Sequence, residues 1–220
     1  MDEVITHFFR WGHFLAGVTW IGLLYYFNFV QGSYFKEAED DARVDAFTKL
    51  VPRALWWFRW GAFLTFLTGC ALLAGLGGGG FEWITKDIAL GALMGTFMFL
   101  NVWGIIWRNQ KVVIASNEQI KAGGEALANA AGAAGKALLA SRTNTLFSLP
   151  MLFFMGSSAH LSSGALGQAG TGFWVALGII VVLEINAIVG KQGPMTSVSG
   201  VITSGFVLTA VLWGLVRFLG

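Results

Sequence analysis

The stretch GFWVALGIIVVLEINAIVG, Gly172 to Gly190, carries one charge, Glu184, in nineteen consecutive residues. An α-helix of about 20 apolar residues covers the hydrocarbon core of a bilayer, and this stretch has that length and character. It does not stand alone. Comparable runs occur at about 7–31, 54–76, 88–107, 144–163 and 198–217. The expectation is an all-α polytopic membrane bundle of about six transmembrane helices in a single domain, 1–220. No strand periodicity competes with it.

Composition agrees. Apolar residues make up 55% of the 220, charged residues only 12%, and the mean hydropathy is +0.67. A soluble domain carries about 25% charge, so this chain lacks the groups to solvate a globule of its size. Ten Trp and 19 Phe fit lipid-facing surfaces and interfacial belts. A net charge of +2 without a concentrated basic face argues against nucleic acid as a partner. The lipid bilayer is the partner that composition demands.

Basic residues set the expected direction. Lys36, Arg43, Lys49, Arg53, Arg108, Lys111, Lys121, Lys136, Arg142 and Lys191 follow spans one, three and five, whereas the other side has Lys86, Arg217 and Arg10. The positive-inside rule then puts both termini outside, in the periplasm, and the long loops in the cytoplasm. The acidic start Met1-Asp2-Glu3 lacks the basic region of a secretory signal, so span one is expected to remain in the mature protein. The Ala-rich stretch from Glu125 to Ala140 should form a cytoplasmic helix leading into span four. Gly77 to Gly80 reads as a flexible turn, since no Lys-Ser/Thr follows as a phosphate loop needs.

Span four is the polar one, with Ser148, Pro150, Ser157, Ser158 and His160; it belongs in the bundle interior. Cys70 is the sole cysteine and its small or apolar neighbours make it a packed small residue. That excludes disulfides, thiolate metal sites and a C-x-x-C-H haem attachment within this sequence.

The topology gathers three histidines at the outer face. His13 lies about 10 Å and His160 about 5 Å inside it by helical rise, and His7 stands about 120° around the helix from His13. Neutral imidazoles on facing helices are axial ligands for haem b, so His13 and His160 are the candidate cofactor and haem-iron ligands; hydrogen-bonded imidazoles without a metal are the alternative. Gly12 and Ala16 beside His13 permit close approach of a helix or a flat ligand. Arg59 and Glu184 fall at similar depth near the cytoplasmic side, an expected structural ion pair because an unpaired charge in the bilayer is expensive. No catalytic residue is identifiable.

Four stretches carry a resemblance: His13-Phe14-Leu15-Ala16-Gly17-Val18-Thr19-Trp20-Ile21-Gly22, Ala54 to Ala62 around Trp56-Trp57-Phe58-Arg59, Phe97 to Trp103 around Asn101, and Ser141-Arg142-Thr143-Asn144-Thr145 running to Met155. They resemble the membrane-bound urate hydroxylase (PuuD-like) family, a membrane domain fused to a C-terminal cytochrome c. The first stretch is also similar to HemJ-type protoporphyrinogen oxidases and CopD-like membrane proteins. The resemblance implies a multi-pass protein of the bacterial inner membrane that oxidises urate to 5-hydroxyisourate and passes electrons outward. With no haem-attachment motif up to Gly220, the acceptor would be a separate periplasmic cytochrome c. The competing expectation is a non-catalytic accessory subunit packed against other membrane subunits of a respiratory or photosynthetic complex. A transporter is disfavoured, because the spans show no inverted repeat.

Overall fold

A computed structural model of the chain describes residues 3–76 and 83–219; the Gly77–Gly80 stretch read as a turn lies outside them. The described residues form six long helices: α1 (Glu3–Glu37), α2 (Asp40–Leu76), α3 (Lys86–Lys121), α4 (Ala130–His160), α5 (Thr171–Val189) and α6 (Val198–Phe218). All except α4 are long and apolar enough to cross a membrane. The protein is a multi-pass membrane helix bundle.

Contacts fix the alternation of directions. His13 meets Thr68, Tyr25 meets Ser148, Asp87 meets Ser157, and the Gly172 amide donates to the Leu219 carbonyl. The start of α1 and the end of α6 therefore share one face, called here the terminal face. The opposite, basic face carries the α1–α2, α3–α4 and α5–α6 connections. The first two of these connections are shorter than the sequence predicts. The mixed-charge segment 32–53 is almost entirely helical, and the Ala-rich stretch is no separate helix but the first turns of α4, from Ala130.

The polar helix α4 is central. Arg142 to Ser148 are all buried, on every side of the helix, and α4 packs on α3, α5 and α6. Its polar side chains lower its hydropathy because they face protein, as span four was expected to do. Lipid offers no hydrophobic gain for association, so close packing and internal hydrogen bonds must hold such a bundle. Leu90, Met94 and Met98 of α3 belong to the core that Phe147, Met151 and Phe154 of α4 fill. Gly172 lets α5 meet α6 backbone to backbone, since a Cβ there would lie 2.1 Å from the Leu215 carbonyl oxygen.

The α1–α2 pair is built differently. A Cβ on Gly61 would come within 3.2 Å of the Trp20 backbone nitrogen, so the two helices touch through small residues. Toward the terminal face Phe8, Trp11, Phe14, Leu15 and Val18 are exposed. Cys70 is exposed on α2 as well, contrary to the packed position expected. Apolar neighbours in sequence serve a lipid-facing surface as well as a core, which is why the sequence misplaced it.

Candidate functional site

At the terminal face, His7 is exposed beside Phe8 and His160 is exposed at the end of α4. His13 is half-buried, its Nδ1 lying 3.0 Å from Thr68 Oγ1. Thr68 Oγ1 also lies 2.6 Å from the Leu64 carbonyl, which it can only approach as donor. The hydroxyl therefore accepts from His13, placing the imidazole proton on Nδ1 and leaving Nε2 with its lone pair.

The Tyr25–Ser148 hydrogen bond, 2.9 Å, sets the register of α1 against α4. His13 and His160 are each twelve residues from it. Each thus stands about 18 Å nearer the terminal face and about 120° around its own helix from that contact. They are level, but His13 is turned into the α1–α2 seam, against Gly69. That seam is closed by helix packing: Gly12 faces Thr68 and Gly17 faces Thr65. Axial ligation requires both Nε2 atoms to point at one iron, so these residues do not fit a haem b held between His13 and His160. Among the described residues no three His, Cys, Asp or Glu side chains cluster as metal ligands either.

Arg59 and Glu184 are not brought together. The Arg59 guanidinium lies over the Trp107 ring, 3.9 Å from its centroid, with Trp103 behind it at 5.8 Å. Glu184 accepts a hydrogen bond from Asn101 Nδ2 at 3.1 Å. Similar depth did not make them neighbours, because they sit on helices separated by α3, and α3 supplied each with its own partner.

A buried network of amides and a carboxylate lies in the basic half of the bundle. Asn101 donates both amide protons, to Glu184 Oε2 and to Asn144 Oδ1 at 3.0 Å, and Asn144 donates in turn to the Met98 carbonyl at 2.9 Å. This chain joins α5, α3 and α4. On the other side of α4, Asn28 donates to Ser141 Oγ at 2.8 Å.

Both α1 and α3 widen into π-helix here, over Tyr26–Gln31 and Asn101–Ile106. A π segment costs regular hydrogen bonding and occurs frequently at functional sites. Residues of these segments and their surroundings are incompletely satisfied. Asn28 Oδ1, Gln31 Oε1, Gln110 Oε1, Trp103 Nε1 and Arg59 Nε are buried without a hydrogen-bond partner. Native interiors leave few such groups; these five lie in the basic half, while Trp20 Nε1 and Trp213 Nε1 are also unpartnered and lie outside it. Sequence reasoning noted Asn101 and Glu184 but passed over Asn28, Gln31 and Gln110; polar amides inside or at the ends of hydrophobic runs were the available signal.

Comparison with known proteins bears on this half of the molecule. No curated protein and no solved structure matches the chain. The family model described as urate oxidase N-terminal matches residues 85–192. The match contains two of the four resembling stretches, around Asn101 and from Ser141 to Met155, and the whole Asn101–Asn144–Glu184 chain; His13 and Arg59 fall before it. Over residues 85–192, just under half of its length, this chain is similar to the urate oxidase N-terminal family.

Proposed function

We propose that the protein is a membrane oxidoreductase subunit of the urate-oxidising kind, and that its substrate-handling site is the polar core of the basic half. One observation carries this reading: buried, unpartnered polar groups stand beside the Asn101–Asn144–Glu184 chain and two π segments. Packing alone does not account for such a set, because each unsatisfied group costs about 1–3 kcal/mol.

In this reading Asn101 fixes Glu184, and Asn144 fixes Asn101. Glu184 is 9% exposed and its partner is a neutral amide rather than a cation. A carboxylate so placed accepts a proton from an N–H or O–H acid as electrons leave the substrate. The electrons pass to a separate cytochrome c, with both termini and that carrier on the periplasmic side of a bacterial inner membrane. The basic-residue asymmetry supports this direction.

The test is urate-dependent reduction of added cytochrome c by membranes holding the full chain. Glu184→Gln should lower the rate at least about 100-fold, the range for losing a general base, while His160→Ala leaves it unchanged. Wild-type membranes that neither bind nor consume urate would overturn the proposal. The accessory-subunit reading would then stand in front. It draws on the exposed aromatics Phe8, Trp11, Phe14, Trp56 and Trp57 on α1 and α2, and it requires co-purification with other membrane subunits.

A further inference from the structure

The two carboxyl oxygens of Glu184 stand in unequal surroundings. Oε2 accepts from Asn101 Nδ2 at 3.1 Å. Oε1 has no donor among the described residues, yet it is not enclosed. A polar atom left without a partner inside a transmembrane segment is expensive and points to function.

Helical spacing shows which way Oε1 opens, since residues three and four apart share a face. Ile180 and Ala187 flank Glu184 on one side and are fully buried in the core, so that side is sealed. Val181 and Ile188 flank it on the other; Val181 is half-buried and Ile188 is 58% exposed. Across the boundary, Leu100 beside Asn101 is exposed, and a Cβ on Gly104 would meet nothing within 4 Å. The same boundary is unsealed toward the terminal face, where Leu90 and Leu93 of α3 and Leu177 of α5 line a recess of about 510 Å³. Leu177 stands on the Glu184 face of α5, two turns away. The groove lined by Leu183 and Asn186 lies toward α6, on a different side of α5. Glu184 therefore opens sideways to the bilayer between α3 and α5, past an apolar rim.

We propose that Glu184 Oε1 is the docking point for a bilayer-dissolved molecule of the hydroquinone class, an apolar body carrying a phenolic O–H. The apolar rim admits an uncharged, apolar molecule, and the free oxygen requires a donor. A phenolic O–H is also an acid from which a carboxylate takes a proton. The inference rests on the reading of Glu184 as a proton acceptor and adds the side from which its partner arrives.

Carbodiimide labelling of membranes holding the full chain tests it, with apolar dicyclohexylcarbodiimide and a water-soluble, cationic carbodiimide as reagents. The Glu184 oxygen adds to the carbodiimide carbon and the carboxyl proton passes to the reagent nitrogen. The adduct rearranges to an N-acylurea that carries the mass of one whole reagent, and nothing is oxidised. Peptide mass spectrometry should find Glu184 labelled about tenfold or more faster by the apolar reagent, because hydrocarbon excludes the cation. Ile188→Trp on the open flank should slow labelling severalfold, whereas Val182→Trp, exposed on the opposite side of α5, should not. A decyl-substituted hydroquinone should protect Glu184, and its dimethyl ether, which lacks the O–H, should not. Equal labelling by both reagents would mean that the site opens to water, and no labelling would mean that it is closed. Equal effects of the two Trp substitutions would move the opening elsewhere. Protection by both compounds would show bulk instead of a hydrogen bond, and protection by neither would show no docking. Each of these results overturns the proposal. Labelling is read without urate, so its failure is distinct from a failure to oxidise urate.

Discussion

Asp87 and Arg142 are both buried charges on helices that meet in the middle of the bundle, and they are treated in opposite ways. Asp87, 0% exposed, accepts from Ser157 Oγ at 2.8 Å, from the Ser163 amide at 2.6 Å and from Ser163 Oγ at 3.3 Å. The Lys86 amide donates to the Gly164 carbonyl, and Leu166 donates to Ile84 beside it. This carboxylate ties the α4–α5 loop to the start of α3. It is structural, because both of its oxygens are taken by donors of α4 and of the loop that follows it. Arg142, toward the middle of α4, has no such circle of partners, and Asn28 and Gln31 of the neighbouring π segment are half-satisfied. Filled acceptors make Asp87 a clamp, a role that the unpartnered nitrogens of Arg142 do not share.

The largest effect should come from opening the clamp. Asp87→Ala removes a charged acceptor from three donors and should cost about 3–5 kcal/mol of stability. Thermal unfolding in detergent would measure it, with urate binding per folded molecule unchanged. A loss of binding without a loss of stability would reverse the roles assigned to the two ends.

A smaller stability change should accompany a larger functional one in the polar core. Asn101→Leu deprives both Asn144 Oδ1 and Glu184 Oε2 of a donor, at about 2–3 kcal/mol. Because Asn144 shares that network, the Asn101→Leu, Asn144→Leu double variant should lose less than the sum of the singles. Strict additivity, measured in the same unfolding experiment, would mean the network is not one unit.

The finest distinction concerns Arg59. A double-mutant cycle of Arg59→Leu with Trp107→Leu should show a coupling of about 1 kcal/mol from the cation–π contact. The corresponding cycle with Glu184→Leu should stay within about 0.5 kcal/mol of additivity. A strong Arg59–Glu184 coupling would restore the ion pair that depth alone had implied.

That pair shows how far sequence reaches. Hydrophobic length placed the spans, and the polar residues of span four correctly implied an interior helix. Depth along a helix is also legible, which is why His13 and His160 come out level. Azimuth is not legible. A residue's direction around its helix acquires meaning only when the neighbour is known, so His13 faced α2 and Glu184 found Asn101 instead of the partners proposed for them. The π segments add a second obstacle, since widening a helix shifts every later side chain relative to ideal spacing.

What the sequence determined by itself was the solvent, the helical class and the alternation of spans, because each follows from how many consecutive apolar residues a bilayer can hold. Tertiary structure alone decided which polar groups are satisfied. Asp87 and Arg142 are indistinguishable as isolated charges in a hydrophobic chain; only the packing of α4 against α3 surrounds one with donors, and only its packing against α5 and α6 leaves the other without an acceptor.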